Sequence, residues 1–118
     1  MINGVHALFY AQDAENVRAF FKDVLKLNSV DAGHGWLIFA LPPAELAIHP
    51  TGELPHHELY LMCEDIQKTM DELKAKHVEF ARPAKEQDWG WVTAIKIPGG
   101  GEMGLYQPKH PTALKLSH

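Results

Sequence analysis

The chain is 118 residues long, 46% hydrophobic and 22% charged, the balance of one globular domain with room for a modest core. A formal charge of −4 argues against a nucleic-acid or anionic-membrane surface, because both need clustered Lys and Arg. No apolar run approaches the ~20 residues that cross a bilayer, and the N-terminus lacks a basic-then-apolar leader pattern. The single cysteine, Cys63, forms no internal disulfide, so a cytoplasmic address is expected.

Residues 4–11 alternate, with Val5, Ala7 and Phe9 on one face and His6, Leu8 and Tyr10 on the other, which predicts a strand. Asp13 follows as a helix N-cap, its carboxylate placed to accept from free N–H groups of the first turn, and Glu15 suits the positive helix end. Val17, Phe20, Phe21, Val24 and Leu25 fall on one apolar helical stripe. After a break at 28–33, strands are expected at 35–41 and 44–49, separated by Pro42-Pro43.

The polar, turn-rich segment 51–55 is a hinge. Beyond it the order returns: a strand over 57–63, an Asp65 cap, a helix with Ile66, Met70, Leu73 and His77 on one face, and a short strand over 78–81. Residues 82–90 are a longer polar connection, expected to be a mobile loop over a cleft. Strands are expected at 91–97 and 102–107, joined by Pro98-Gly99-Gly100-Gly101, a turn of residues that tolerate positive φ. The triple glycine lacks the Lys-Ser/Thr and the helix of a phosphate loop. Residues 109–118 read as a loose tail.

The two halves use one pattern twice. Residues 6–13 and 58–65 are alternating runs that end in Asp, 52 residues apart. Ala44-Glu45-Leu46-Ala47-Ile48-His49-Pro50 closes the first half as Gly101-Glu102-Met103-Gly104-Leu105-Tyr106-Gln107-Pro108 closes the second. Each unit reads β-α-β-β-β. The expected fold is α+β, two tandem modules over about 4–50 and 56–108, with helices on one sheet face and a cleft on the other.

Alternation then names the cleft-facing side chains: His6, Leu8, Tyr10, Glu45, Ala47 and His49 in module 1, and Glu58, Tyr60, Met62, Glu102, Gly104 and Tyr106 in module 2. So polar a surface costs free energy unless hydrogen bonds, water or a ligand satisfy it. Trp36, Trp89 and Trp91 are expected to wall a hydrophobic ligand beside Tyr10, Tyr60 and Tyr106. Cys63 falls on the helix-facing side, as a core thiol.

The doubled unit, the two strand-ending aspartates and Pro98-Gly99-Gly100 ahead of Gly104-Leu105-Tyr106-Gln107-Pro108 resemble the vicinal oxygen chelate superfamily. That family includes glyoxalase I, bleomycin-resistance proteins and extradiol dioxygenases, and the similarity covers residues 4–108. The resemblance implies an incomplete barrel around a cleft, commonly completed by a homodimer. Metal-using members place one ligand on the first strand and one on the last strand of each module. Carried over, the first-strand positions are His6 and Glu58, and the last-strand positions fall on Ala47 and Gly104, which carry no donor. His49 and Glu102 stand one pleat away on the same face. His6, His49 and Glu58 make a two-His, one-carboxylate set that suits a divalent metal (Zn, Fe, Mn or Ni) with open positions for substrate.

Two functions follow from the resemblance. The first is a glyoxalase-like small-molecule enzyme of lyase, isomerase or dioxygenase type, in which substrate oxygens reach the metal and Glu58 or Glu102 moves a proton. The second is a metal-free binding or sequestering protein of bleomycin-resistance type. It would hold a planar or cationic compound between Trp and Tyr rings, with cleft carboxylates as counter-charge.

Overall fold

The longest uninterrupted alternation in the sequence, residues 91–107 around its glycine turn, forms the central hairpin. The computed structural model describes residues 6–45, 47 and 50–114. Its strands are β1 (Ser29–Asp31), β2 (Leu37–Phe39), β3 (Tyr60–Met62), β4 (Lys85–Gln87), β5 (Gly90–Ile97) and β6 (Gly101–Pro108). Helix α1 (Ala14–Ala19) continues as a π-helical stretch over Phe20–Val24, and α2 is Ile66–Lys74. Four strands form a mixed sheet in the order β3-β6-β5-β4, with β3 parallel to β6 and the other pairs antiparallel. The result is an α+β fold whose sheets do not close into a barrel.

One core joins the modules. Val17 and Phe20 from the first helical segment pack with Ile66 and Met70 of α2 against Ile95, Ile97, Met103 and Leu105. Ile95 is fully buried, and burying a side chain of this size stabilises the fold by roughly 1.5–3 kcal/mol. The opposite sheet face is therefore free to carry a site. At the β5–β6 turn, Gly99 and Gly101 both take φ of 76°, a region costly to residues with a Cβ. A Cβ on Gly100 would lie 2.8 Å from Phe9 and 2.9 Å from Val17, so this turn docks closely on the N-terminal segment.

Both expected caps form. Asp13 accepts from the Asn16 N–H at 3.1 Å, and Asp65 from the Lys68 N–H at 3.1 Å. The Gln107 side-chain oxygen also accepts from the Ile66 N–H at 2.8 Å, tying the end of β6 to the first turn of α2. At the other end of α2, His77 is not on the helix face as expected. It takes φ of 66° as the residue that stops the helix, and the Val78 N–H reaches back to the Leu73 carbonyl at 3.1 Å.

Other departures concentrate in module 1. Residues 6–11 form no strand, and the expected closing strand does not form at 44, 45 or 47, while Leu46, Ile48 and His49 lie outside the described residues. Among the described residues, β1 and β2 pair only with each other. Their connection is held by the Asp31 carboxylate, which accepts from the Gly33 N–H at 2.7 Å. The hairpin meets the helical segment through Phe39 on Phe21 (centroids 5.8 Å apart) and Trp36 under Arg18 (5.1 Å).

In module 2 the expected mobile loop is largely structured, because β4 pairs with the start of β5 across a turn at Asp88–Trp89. The expected loose tail is anchored over its described part. The Lys109 N–H donates to the Trp89 carbonyl at 3.0 Å, and the Lys109 ammonium pairs with Glu86. No helix among the described residues is long and apolar enough to cross a membrane.

Candidate functional site

Strand parity and register build the site. Gly104 on β6 lies opposite Ala94 on β5 and beside Tyr60 on β3. These residues face away from Met103, Leu105, Ile95 and Ile97, which the core holds. They floor a cleft of about 450 Å³ whose wall includes Glu58, Arg82 and Glu102. Its size falls in the usual range for small-molecule sites. Three residues predicted from the sequence, Glu58, Tyr60 and Glu102, thus meet in one cavity.

Tyr60 is fixed from several sides. Its hydroxyl donates to the Glu58 carboxylate at 3.3 Å. Burial, and then the neighbouring Glu58 charge, push its phenol pKa above the usual tyrosine value of 10.0. Its ring lies against Gly104: a Cβ there would overlap the Tyr60 ring carbons, with Cγ only 2.9 Å away. Tyr106, the next cleft-facing residue along β6, meets Tyr60 edge-to-face at 6.0 Å and Trp89 at 5.3 Å, giving a continuous aromatic row. A Cβ on Gly90 would lie 2.7 Å from the Tyr106 ring, so the second tyrosine also leans on a glycine.

The carboxylates do not stand alone. Arg82 donates to Glu102 at 3.1 Å, with both side chains about half exposed. The backbone under Arg82 is pinned by the buried Thr93 hydroxyl, which donates to the Arg82 carbonyl at 2.6 Å. Two carboxylates against one guanidinium leave the cleft with an excess of negative charge. At the end of β6, the Tyr106 hydroxyl bonds His110 Nε2. His110 Nδ1 faces the Pro111 carbonyl at 2.7 Å. The Glu45 carboxylate accepts from the Ala113 N–H at 2.7 Å, which brings this module 1 residue to the tail. Burial and then the Glu45 charge raise the Tyr106 pKa.

The other described residues predicted for the site are placed as follows. Trp91 packs against the core, with the Lys109 ammonium 5.8 Å above its ring. Tyr10 and Trp36 are exposed on module 1, His6 is exposed, and His49 lies outside the described residues. Cys63 is half-buried, its thiol donating to the Tyr106 carbonyl at 3.7 Å, and burial raises its pKa. Sequence reasoning missed Arg82 and Thr93, while Trp89, expected to wall the ligand, does stand beside Tyr106. Parity alone reaches Val92 and Ala94, but no local pattern announces an ion pair between residues 20 positions apart.

Among the described residues, the cleft side chains do not assemble a metal site. Glu58 is engaged by the Tyr60 hydroxyl and Glu102 by Arg82, and the space beside β6 at position 104 is filled by an aromatic ring. Among the described residues, no three His, Cys, Asp or Glu side chains gather closely enough to hold an ion.

No protein-family model and no curated protein matches this sequence. Solved structures do match over nearly the whole chain. One is an antibiotic-binding protein, TnmS3, from a Streptomyces species, at 23% identity and TM-score 0.65, covering 92% of this chain and 98% of that one. A glyoxalase/bleomycin resistance protein/dioxygenase superfamily member from Sphaerobacter thermophilus matches at 22% identity and TM-score 0.64, covering 90% and 98%. A lactoylglutathione lyase from Agrobacterium tumefaciens matches at 15% identity and TM-score 0.63, covering 89% and 92%. The chain therefore has the vicinal oxygen chelate fold of the glyoxalase/bleomycin resistance/dioxygenase superfamily.

Proposed function

We propose that this protein binds and sequesters a small planar aromatic molecule bearing a positive charge or hydrogen-bond donors, without a metal, in the module 2 cleft. The observation that carries this reading is the Tyr60 ring seated on Gly104 with Glu58 and Glu102 beside it. An aromatic surface supplies stacking area at low entropic cost, and the exposed carboxylates at its rim supply orientation and counter-charge. The structural likeness to an antibiotic-binding protein agrees with that chemistry. We further infer that a second copy covers the apolar surface of module 1, where Leu8, Val30, Trp36 and Ile38 stand exposed.

Calorimetric titration of untagged protein with proflavine, a planar cation, and anthraquinone-2-sulfonate, a planar anion, tests the reading. Proflavine is expected to bind more tightly and to lose about tenfold in affinity in Glu58→Gln or Glu102→Gln, the scale of one charge-assisted contact. Protein that binds neither compound but copurifies with a stoichiometric divalent metal would overturn it.

A further inference from the structure

We propose that Gly104 is the specificity-determining position of the cleft: its lack of a side chain seats the Tyr60 ring against β6, and the seated ring is the surface on which a planar ligand stacks. The inference rests on the binding reading above and adds the residue that sets the ligand class.

Glycine in the middle of a strand weakens it, since it gains nothing by packing and loses the most backbone freedom. Gly104 occupies such a place, paired on both sides, with Ala94 on β5 and Tyr60 on β3. Its compensation is close approach. Any side chain at 104 and the Tyr60 ring need the same volume. The ring is then held on three sides: by the β6 backbone beneath, by the Glu58 carboxylate at its hydroxyl, and by the edge of Tyr106. A ring immobilised in the free protein costs a stacking ligand little further ordering. With a side chain at 104 the ring must tip away, and the cleft loses its flat wall while keeping both carboxylates. The pair thus selects for a planar π-system, and Glu58 and Glu102 select its charge and donors.

A double-mutant cycle over positions 60 and 104, read by proflavine affinity, tests the unit. Gly104→Ala and Tyr60→Ala are each expected to weaken binding about tenfold, and Tyr60→Phe, which keeps the ring, to stay within about threefold of wild type. The double variant, in which the steric conflict is gone, is expected to fold and to bind no worse than Tyr60→Ala. Unchanged affinity in Gly104→Ala, or losses that multiply in the double variant, would overturn the inference. A ligand-free readout separates it from the binding reading. The tyrosinate absorbance step assigned to Tyr60 by comparison with Tyr60→Phe should move to lower pH in Gly104→Ala as the phenol reaches solvent. Wild-type protein that binds neither proflavine nor neutral acridine ends the binding reading. An unmoved tyrosinate step in Gly104→Ala ends the role of Gly104 as the seat of Tyr60.

Discussion

In module 2, the eight-residue strands β5 and β6 turn Ile95, Ile97, Met103 and Leu105 toward two helices; in module 1, the three-residue strands β1 and β2 leave Val30 and Ile38 in solvent. The two halves share an order of elements but not an uninterrupted length of alternation. The expected break at 28–33 instead carries β1, but module 1 turns at 32–36 and is cut again at Pro42-Pro43, which keeps its paired strands to three residues each. Its helical segment packs into the other module's core. A repeated pattern thus sets local periodicity, while the apolar area that each strand delivers decides which copy organises the molecule.

Core truncation breaks this comparison most directly. Ile95→Ala is expected to cost about 2–5 kcal/mol in urea unfolding, whereas Ile38→Ala should stay within about 0.5 kcal/mol at low protein concentration. Equal losses would mean that module 1 is as well packed as module 2. A cost at Ile38 that grows with protein concentration would instead place that side chain in a self-association surface. Caps come next: Asp65→Ala and Asp13→Ala should each lose about 1 kcal/mol. Asp65 is expected to be the milder of the two, because Gln107 holds a second N–H of the same helix end. Smaller still is Arg82→Ala, at no more than about 1 kcal/mol, since its ion pair with Glu102 is half exposed.

The subtlest expectation concerns alkaline pH. Tyr60, Tyr106 and Cys63 all have folded-state pKa values raised mainly by burial. Each favours the folded state while protonated, and that contribution is lost as pH rises from the unfolded value through the folded one. Stability should therefore decline from about pH 9 upward, the ordinary value for the thiol being 9.0 and for the phenols 10.0. Tyr60→Phe should flatten the later part of that decline. A decline of the same slope in Tyr60→Phe would remove Tyr60 from the account.

Much of module 2 was legible in the sequence because it obeys local rules. Period-two alternation placed Tyr60, Glu102 and Gly104 on one face and Met103 and Leu105 on the other, and the two aspartates announced their helices. What escaped was set at longer range. Trp91 shares the parity of Thr93, Ile95 and Ile97 and so turns to the core. Thr93 interrupts an apolar face, and only its bond to the Arg82 carbonyl explains why a hydroxyl is buried there. The described part of the tail is held by hydrogen bonds to Trp89 and Glu45 and by the Lys109–Glu86 pair, which leave no periodic trace. The seat of Tyr60 arises from a register between strands 44 residues apart, invisible until they pair.

The bond from the Ile66 N–H to the Gln107 side chain has a mechanical consequence. Gln107 is three residues along β6 from Gly104 and adjacent to Tyr106, so a guest that shifts the aromatic row strains or relaxes this link. Hydrogen exchange at the Ile66 amide, on the far side of the sheet, then becomes a gauge of occupancy. It should slow when the cleft fills and quicken when Gln107 is replaced by Ala.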